Sequence, residues 1–498
     1  MTQERSPIVR LLSQGGVYAI GNALLKLSGL FLAPLYLDTA LLSGAEYGRF
    51  SLLDVTGSLA ILLFGLGMGS ALIKFLSDEQ DGEVDSVPFT ALMIVLISGA
   101  VAVVAFKLMD GAFSSWFLES SERSALIGWY GVYVGLQVVL VLPYGFVRYH
   151  ERAGLYVVGR MLEMAILIGG VYVFLGRMRL GLDGIVYAYV LSSAVALLVM
   201  GGGMLSRIRW DWKPLVARRL LVYGAPLSVG LVAAPLLHAG DRYLIDWILG
   251  DEPLARYFWA TRLSGVLNMF FVQSLSLAFA VIGIKALTKT DVDVSLHRRS
   301  FRHFVVIGSW IALALAVLAP NLTAILTDEP QYVSAANLVF PLSLGYLFYG
   351  GYLIVVNALY AAGSTRYIAW SVVAATVANA LLNWWLLQVM GVYGAAIATV
   401  AAYALLMLLT VVEARRHFRI NYSWTAMAGA IVVATTLYVL DALVSGTDQP
   451  HWWSHLGFRL VLLLFFPVGI VALRLYRLSE VRHGWDVVQR RLRRRRRG

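Results

Sequence analysis

Apolar runs of roughly 20 residues recur along the whole chain, separated by short polar or charged segments. Each run is long enough for an α-helix to cross a hydrocarbon core about 30 Å thick. The runs are too long for the strands of a membrane barrel and lack their alternation. The pattern therefore predicts an all-α membrane protein with about fourteen transmembrane helices. The predicted helices lie at 11–37, 48–75, 87–109, 123–147, 153–175, 184–205, 220–249, 256–284, 303–327, 336–361, 367–389, 393–414, 424–446 and 457–477.

Three segments of the first half recur in the second half at an offset of about 210 residues. The aligned pairs are LLSQGGVYAIG (11–21) with LLVYGAPLSVG (220–230), YGRFSLLDV (47–55) with LARYFWATR (254–262), and GLDGIVYAYV (181–190) with GVYGAAIATV (391–400). Six predicted helices thus repeat as six, and an even number returns the chain to the same side of the membrane. We therefore expect two parallel six-helix repeats with a substrate path between them.

The repeat divides the chain into an N-terminal six-helix lobe at 1–219 and a C-terminal six-helix lobe at 220–414. Two extra helices at 415–477 fall outside the repeat, followed by a cytoplasmic polybasic tail at 478–498. The extra helices either pack on the second lobe or form a groove for a lipid tail. The loops are too short for a soluble catalytic or nucleotide-binding domain. We therefore predict that the chain is not an enzyme, with no catalytic residue, cofactor or metal.

Composition agrees with the membrane assignment, because 59% of the residues are hydrophobic and only 14% are charged. The absence of cysteine excludes disulfides, thiol catalysis and thiolate metal sites. Most of the 40 Lys and Arg residues fall in alternate loops, which predicts cytoplasmic N- and C-termini. Anionic headgroups of the inner leaflet would hold the polybasic tail. Nucleic-acid binding has no aromatic or fold context to support it.

Ionisable residues inside predicted spanning helices are the main candidates for function. Each costs roughly 2.5–3.5 kcal/mol at a helix centre facing lipid, so these residues must pair with one another or line a wet cavity. Equal numbers of cations and acids permit complete pairing, which leaves a purely structural role open. The cations are Lys26, Arg160, Arg242 and Arg262, and the acids are Asp54, Glu163, Asp241 and Asp246. Arg160 and Glu163 are three residues apart, which predicts a local ion pair.

The first predicted helix carries a polar stripe, because Gln14, Tyr18, Asn22 and Lys26 recur every four residues. Such a stripe lines a cavity or binds a ligand, unless Lys26 pairs with an acid on another helix, for example Asp54. Arg242 and Arg262 lie at similar depth on neighbouring predicted helices. Asp241 neutralises one of these arginines if their role is structural.

Arginine presents a planar fork of donors that matches phosphate oxygens, and it stays protonated in a cavity of low dielectric constant. Lys26, Arg242 and Arg262, with Asn22, would therefore suit a pyrophosphate headgroup. The candidates for coupling or charge pairing are Asp54, Asp241, Arg160 and Glu163. Asn379 and Asn383, together with Tyr346, Tyr349, Tyr352 and Tyr360, would suit sugars, but such residues also serve as ordinary helix contacts.

Four motifs, in this order and spacing, resemble a known family. They are GAEYGRFSL (44–52), GAPLSVG (224–230), DRYLIDWILGDEPLARYFWATRL (241–263) and GVYGAAIATVAAY (391–403). Together with the helix plan, they are similar to the polysaccharide or lipid-linked oligosaccharide flippases of the multidrug/oligosaccharidyl-lipid/polysaccharide exporter superfamily. The resemblance covers about residues 8–480.

The resemblance implies a bacterial inner-membrane protein that moves undecaprenyl-pyrophosphate-linked sugars to the periplasmic leaflet by alternating access. It implies as partners the polyprenyl-pyrophosphate-linked glycan, the bilayer and a polysaccharide polymerase. Lys26 and Arg262 resemble cavity cations of the related lipid II flippase. Where that relative would have a further cavity arginine, this chain has Asp54, with Arg49 only at the outer edge. The departure favours an O-antigen, capsule or exopolysaccharide repeat unit over lipid II.

Several alternatives remain open. A drug or small-cation antiporter of the same superfamily would need an accessible carboxylate inside the membrane, for which Asp54 and Asp241 are candidates. A lipid II flippase is a second alternative. A membrane glycosyltransferase or polymerase would need acids in a sizeable outer loop, and the outer loops are short. A scaffold for other export machinery is the last alternative, which the polar stripe argues against.

Overall fold

The computed structural model describes residues 28–77, 84–109, 124–288, 293–445, 453 and 455–475, and this part of the chain is helical with no β-strand. The predicted all-α class is therefore confirmed. The helices are α1 (Ala33–Tyr36), α2 (Gly44–Phe64), α3 (Met68–Leu76), α4 (Val87–Leu108), α5 (Ser124–Tyr149), α6 (Ala153–Val171), α7 (Gly181–Leu205), α8 (Pro214–Ala239), α9 (Asp241–Leu249), α10 (Asp251–Leu267), α11 (Gln273–Thr288), α12 (Val294–Leu326), α13 (Pro330–Ala335), α14 (Val339–Ala362), α15 (Thr365–Met390), α16 (Val392–His417), α17 (Trp424–Ser445) and α18 (Leu456–Ala472).

Twelve helical segments in the described ranges are long and apolar enough to cross a membrane. Several of them join neighbouring helices, for example Gly44–Leu76, which contains α2 and α3. Leu456–Ala472 is a shorter apolar helix. The predicted helix at 11–37 lies mostly outside the described residues. The described chain contains twelve candidate spans, whereas the whole sequence predicts fourteen.

Two predicted helices are broken in the structure. The helix predicted at 48–75 is two helices, because Leu66 and Gly67 adopt positive φ angles of 48° and 63° between α2 and α3. A Cβ atom on Gly67 would lie 3.0 Å from the Cα atom of Gly224, so these backbones touch and glycine is required for the contact. The helix predicted at 220–249 is likewise two helices, α8 and α9, which meet at Gly240.

Other helices change their winding without ending. A π-helical turn at Tyr172–Arg177 follows α6, and a second at Asn268–Val272 lies between α10 and α11. Asp293 caps the start of α12 by accepting hydrogen bonds from the side chain and N–H of Ser295 and from the N–H of Leu296. The bond from the Ser295 side chain is the main cause that lowers the pKa of Asp293 below its usual value.

The chain forms two compact units. The first contains the described residues up to Arg262 together with Ala369–Ala402, and the second contains Leu263–Ile368 and the described residues from Tyr403 onward. These units are defined by contacts rather than by sequence similarity. The division into lobes at 1–219 and 220–414, with extra helices at 415–477, stays a prediction.

In the second unit, the last two helices pack on α12. Arg459 on α18 is buried and its Nε donates to the Asp441 carboxylate on α17 at 3.1 Å. Its Nη1 also donates to Asn321 on α12. The indole of Trp310 on α12 donates to the carbonyl oxygen of Leu463 at 3.0 Å. These contacts hold α17 and α18 against the unit. The sequence pattern did not single out Asp441, although it is an acid inside a predicted helix.

Candidate functional site

The first unit brings two of the predicted cations together around one aromatic ring. Arg242 near the start of α9 and Arg262 on α10 place their guanidinium carbons 4.6 Å and 4.4 Å from the centroid of the Phe258 ring. Arg242 Nη1 lies 3.3 Å from Asp54 Oδ2 on α2 and 3.4 Å from the carbonyl oxygen of Ser51. We call Asp54, Arg242, Phe258 and Arg262 the arginine cluster.

Arg262 is held by rings and backbone rather than by an acid. Its guanidinium lies 5.9 Å from the Phe50 ring centroid and occupies the position that a side chain on Gly29 would take. It also shares a hydrogen bond with the Tyr47 hydroxyl. Within the described ranges, no carboxylate oxygen lies within 4.0 Å of Arg262, and its Nε has no hydrogen-bond partner. Glycine at position 29 is therefore needed for this placement.

The arginine cluster carries more positive than negative charge in the described part of the chain. Asp54 forms an ion pair with Arg242 alone, and its side chain is 41% exposed, whereas that of Arg242 is 12% exposed. A partly exposed carboxylate is screened by solvent and neutralises a nearby cation only weakly. The arrangement can therefore accept a further anion.

Asp241 forms no ion pair within 4.0 Å with the guanidinium of Arg242 or of Arg262 among the described residues, and its neutralising role stays a prediction. Its carboxylate is buried and its Oδ2 accepts hydrogen bonds from the hydroxyls of Tyr257 and of Thr399, the latter at 3.4 Å. Its Oδ1 has no partner among the described residues. The start of α9 directs Asp241 toward these hydroxyls, while Arg242, the next residue, faces Asp54.

Arg160 and Glu163 on α6 form a separate, compact network. Arg160 Nη1 lies 2.8 Å from Glu163 Oε2, and its guanidinium carbon lies 3.8 Å from the centroid of the Tyr144 ring. Glu163 also accepts from the Gln137 amide at 2.7 Å and from the Tyr144 hydroxyl at 3.0 Å. The Gln137 amide donates in addition to Ser193 at 2.9 Å. We call Gln137, Tyr144, Arg160, Glu163 and Ser193 the Glu163 network.

The remaining candidates are dispersed. Lys26 and Asn22 lie outside the described residues, and Asp246 is half-buried on α9. Asn379 and Asn383 on α15 belong to the first unit, where the Asn383 amide donates to the Asn379 side chain at 3.1 Å. The tyrosines of α14 belong to the second unit, where Tyr346 and Tyr349 pack against Tyr403.

Several residues that contact the site were missed from the sequence, among them Phe258, Tyr257 and Thr399. Phe258 could have been found, because it lies four residues before Arg262 and therefore on the same face of α10. Tyr257 and Thr399 carried no comparable signal, since their contacts with Asp241 join segments that are distant in sequence.

The comparisons with known proteins agree on family and fold. The family described as polysaccharide biosynthesis protein matches residues 14–282, which is more than half of the chain. No curated protein matches the chain.

Solved structures of transporters share the fold at low sequence identity. The lipid II flippase MurJ in an inward closed conformation aligns with a TM-score of 0.72 and 14% identity, covering 92% of this chain and 98% of that one. An inward-facing multidrug resistance MATE family transporter aligns at 0.64 and 15%, covering 83% and 98%. A MOP superfamily transporter from Pyrococcus furiosus aligns at 0.60 and 16%, covering 83% and 95%.

These matches confirm the family that the sequence motifs resemble. The likeness to MurJ and the MATE transporters covers most of the chain, and many of its helices are apolar enough to span a bilayer. The chain is a multi-pass membrane protein with a flippase or transporter fold, and it belongs to the polysaccharide biosynthesis protein family.

Proposed function

We propose that this protein is a flippase for undecaprenyl-pyrophosphate-linked oligosaccharide repeat units of O-antigen, capsule or exopolysaccharide. It would move them across the bacterial inner membrane by alternating access, with both of its termini in the cytoplasm. The observation that carries the proposal is the charge imbalance of the arginine cluster, in which Arg242 and Arg262 flank Phe258 with one partly exposed carboxylate.

A pyrophosphate would supply the negative charge and the hydrogen-bond acceptors that the arginine cluster lacks. Guanidinium groups donate pairs of hydrogen bonds to phosphate oxygens, and such charge-assisted bonds are roughly twice as strong as neutral ones. The Nε of Arg262 has no hydrogen-bond partner in the described chain. Arg242 Nη1 lies 3.3 Å from Asp54 Oδ2, and at this long distance a phosphate oxygen could replace the carboxylate as the partner of Arg242. Lys26 and Asn22 would complete the site from the first predicted helix. The polyprenyl tail would stay in lipid.

A charge gradient or an ion would drive transport. Moving one charge across the membrane is worth about 2.3 kcal/mol per 100 mV, so the membrane potential, a proton or a sodium ion could each supply the energy. Asp54 and Asp241 are the acids proposed for coupling. A polysaccharide polymerase is the partner that would take the flipped repeat unit.

The test is thermal stabilisation of the detergent-purified protein by undecaprenyl pyrophosphate, compared with undecaprenol. We expect a saturable rise in melting temperature that is specific to the pyrophosphate, because a ligand that binds only the folded state stabilises it. Arg262→Gln and Arg242→Gln should lose this rise. Arg177→Gln is the matched control, since it removes one exposed cation elsewhere in the first unit. Equal rises with undecaprenol would show that the tail alone is recognised and would refute the assigned site.

A cation-coupled drug antiporter is the second candidate, and the buried Asp241 favours it. A carboxylate that has hydroxyl partners but no guanidinium ion pair within 4.0 Å in the described chain is suited to taking up a cation. The same assay with cationic dyes separates the two candidates. A response to dyes and none to the pyrophosphate would support the antiporter. Lipid II as an added ligand tests the third candidate, the lipid II flippase.

A further inference from the structure

The loop between α7 and α8 combines cations with exposed aromatic rings. Residues 206–213 read SRIRWDWK, with the cations Arg207, Arg209 and Lys213 around two tryptophans. Both neighbouring helices are candidate membrane spans, Gly181–Leu205 and Pro214–Ala239. A short loop between two spanning helices lies at the membrane surface. The loop is therefore placed at the level of the lipid headgroups.

The 206–213 loop contacts residues at and just before the start of α4. Arg209 Nη1 lies 2.6 Å from Asp85 Oδ2, and the Trp210 ring packs 5.4 Å from the Phe89 ring. The Thr90 hydroxyl accepts from the N–H of Lys213 at 3.3 Å and donates to the carbonyl oxygen of Asp211 at 3.4 Å. The loop thus packs on the start of α4.

The outer face of the loop is apolar and carries three cations beside the two acids Asp85 and Asp211. Trp210 is 72% exposed and Trp212 is 44% exposed, and Leu215 on the first turn of α8 is also exposed. Arg207 and Arg209 are exposed beside them. An indole ring prefers the headgroup level, because its apolar body enters the acyl boundary while its N–H stays in a polar layer. Cations at this level attract anionic lipids.

We infer that the 206–213 loop is a binding site for the headgroup of an anionic phospholipid, independent of the proposed transport site. Arg207 binds the phosphate directly, Arg209 and Lys213 add to the local positive charge from beside their acids Asp85 and Asp211, and Trp210 and Trp212 pack on the glycerol and upper acyl chains. A cluster that only fixed topology would need the cations but not two exposed tryptophans on a loop held by Thr90. The combination of charge and indole rings selects a lipid surface rather than a soluble anion.

The experiment is native mass spectrometry of the full-length protein titrated with phosphatidylglycerol or with phosphatidylcholine. Each surface cation contributes roughly fivefold to association with an anionic lipid. We therefore expect the first phosphatidylglycerol to bind at least about tenfold more tightly than phosphatidylcholine. The variant Arg207→Gln, Lys213→Gln, Trp210→Leu should lose this preference.

The matched control is Arg415→Gln, Arg416→Gln, Trp370→Leu, which removes two exposed cations and one exposed tryptophan at other places. It should keep the preference for phosphatidylglycerol. Equal losses in both variants would mean that the attraction is a diffuse property of the charge. A native protein without any preference, or a loop variant that keeps it, would also overturn the inference. Inorganic phosphate should not compete, and competition would point to a soluble anion instead.

Discussion

The Glu163 network and the arginine cluster lie in the same compact unit but differ in how they compensate the charge of an intramembrane arginine. In both, a guanidinium stacks on an aromatic ring, Arg160 on Tyr144 and Arg262 on Phe258. Glu163 is 3% exposed and accepts hydrogen bonds from three side chains, one of them that of its arginine. The side chain of Asp54 is 41% exposed, against 4% for that of Glu163, and it pairs with Arg242 but not with Arg262.

This difference in charge compensation distinguishes a structural ion pair from a candidate ligand-binding site. A buried charge costs several kcal/mol unless a partner of opposite charge and further hydrogen bonds compensate it. The Glu163 network meets both conditions within the chain. The arginine cluster meets them only in part, so its positive charge is available to a ligand. Arg459 in the second unit follows the first pattern, since it is buried and holds Asp441 and Asn321.

The largest effect is expected from breaking the Glu163 network. Glu163→Gln leaves the Arg160 side chain, which is 17% exposed, without a counter-charge, and the loss of a partner costs up to about 3–5 kcal/mol. The measurement is the midpoint of unfolding by sodium dodecyl sulfate in mixed micelles. The double variant Arg160→Met, Glu163→Leu removes both charges and should recover most of the loss. A single variant as stable as the native protein would show that Arg160 reaches solvent.

A smaller effect is expected from removing the ring that the two arginines share. Phe258→Leu loses two cation–π contacts and some buried volume, which together cost about 2 kcal/mol. Phe304→Leu is the control, because Phe304 is also buried and its ring packs on Phe271 at 5.4 Å rather than on a cation. The control should lose only the volume term, about 1 kcal/mol. Equal losses of stability in the two variants would mean that the cation–π contacts of Phe258 do not stabilise the protein.

Removing the acid of the arginine cluster should matter less. Asp54→Asn costs about 1 kcal/mol, because the carboxylate is partly exposed and screened. The same change should strengthen the response to undecaprenyl pyrophosphate, since the carboxylate competes with phosphate for Arg242. Ser58→Ala, one turn further along α2 on an exposed residue, is the control for the helix. A weaker response to the pyrophosphate would mean that Asp54 supports the ligand rather than competing with it.

The sequence predicted the features that depend on local spacing. Apolar runs predicted an all-α membrane protein, and the spacing of Arg160 and Glu163 predicted neighbours on one helix face. In the helix predicted at 48–75, Gly67 touches the backbone of Gly224. That Gly67 also adopts a positive φ, and so divides the helix, does not follow from an apolar pattern that continues unbroken through the turn.

Contacts between distant segments could not be predicted. Asp54 and Arg242 are far apart in sequence, and several other acids were equally plausible partners. The way that α9 starts after Gly240 decides whether Asp241 or Arg242 faces Asp54. The contact of Asp241 with Thr399 depends on the segment Ala369–Ala402 joining the first unit. These are consequences of packing, and no single-sequence pattern encodes them.

The smallest effect on stability, and the sharpest test of the comparison, is expected from Arg262→Gln. Because no carboxylate within 4.0 Å in the described chain compensates Arg262, removing its charge relieves repulsion from Arg242 and costs the Phe258 contact. The two terms oppose each other, and we expect a change of less than about 1 kcal/mol. The pyrophosphate-specific thermal shift should nevertheless disappear. Arg262→Lys keeps the charge but not the planar fork, so it should retain part of the shift. Loss of stability as large as that of Glu163→Gln would make Arg262 a structural ion like Arg160, and the distinction between the two regions would fail.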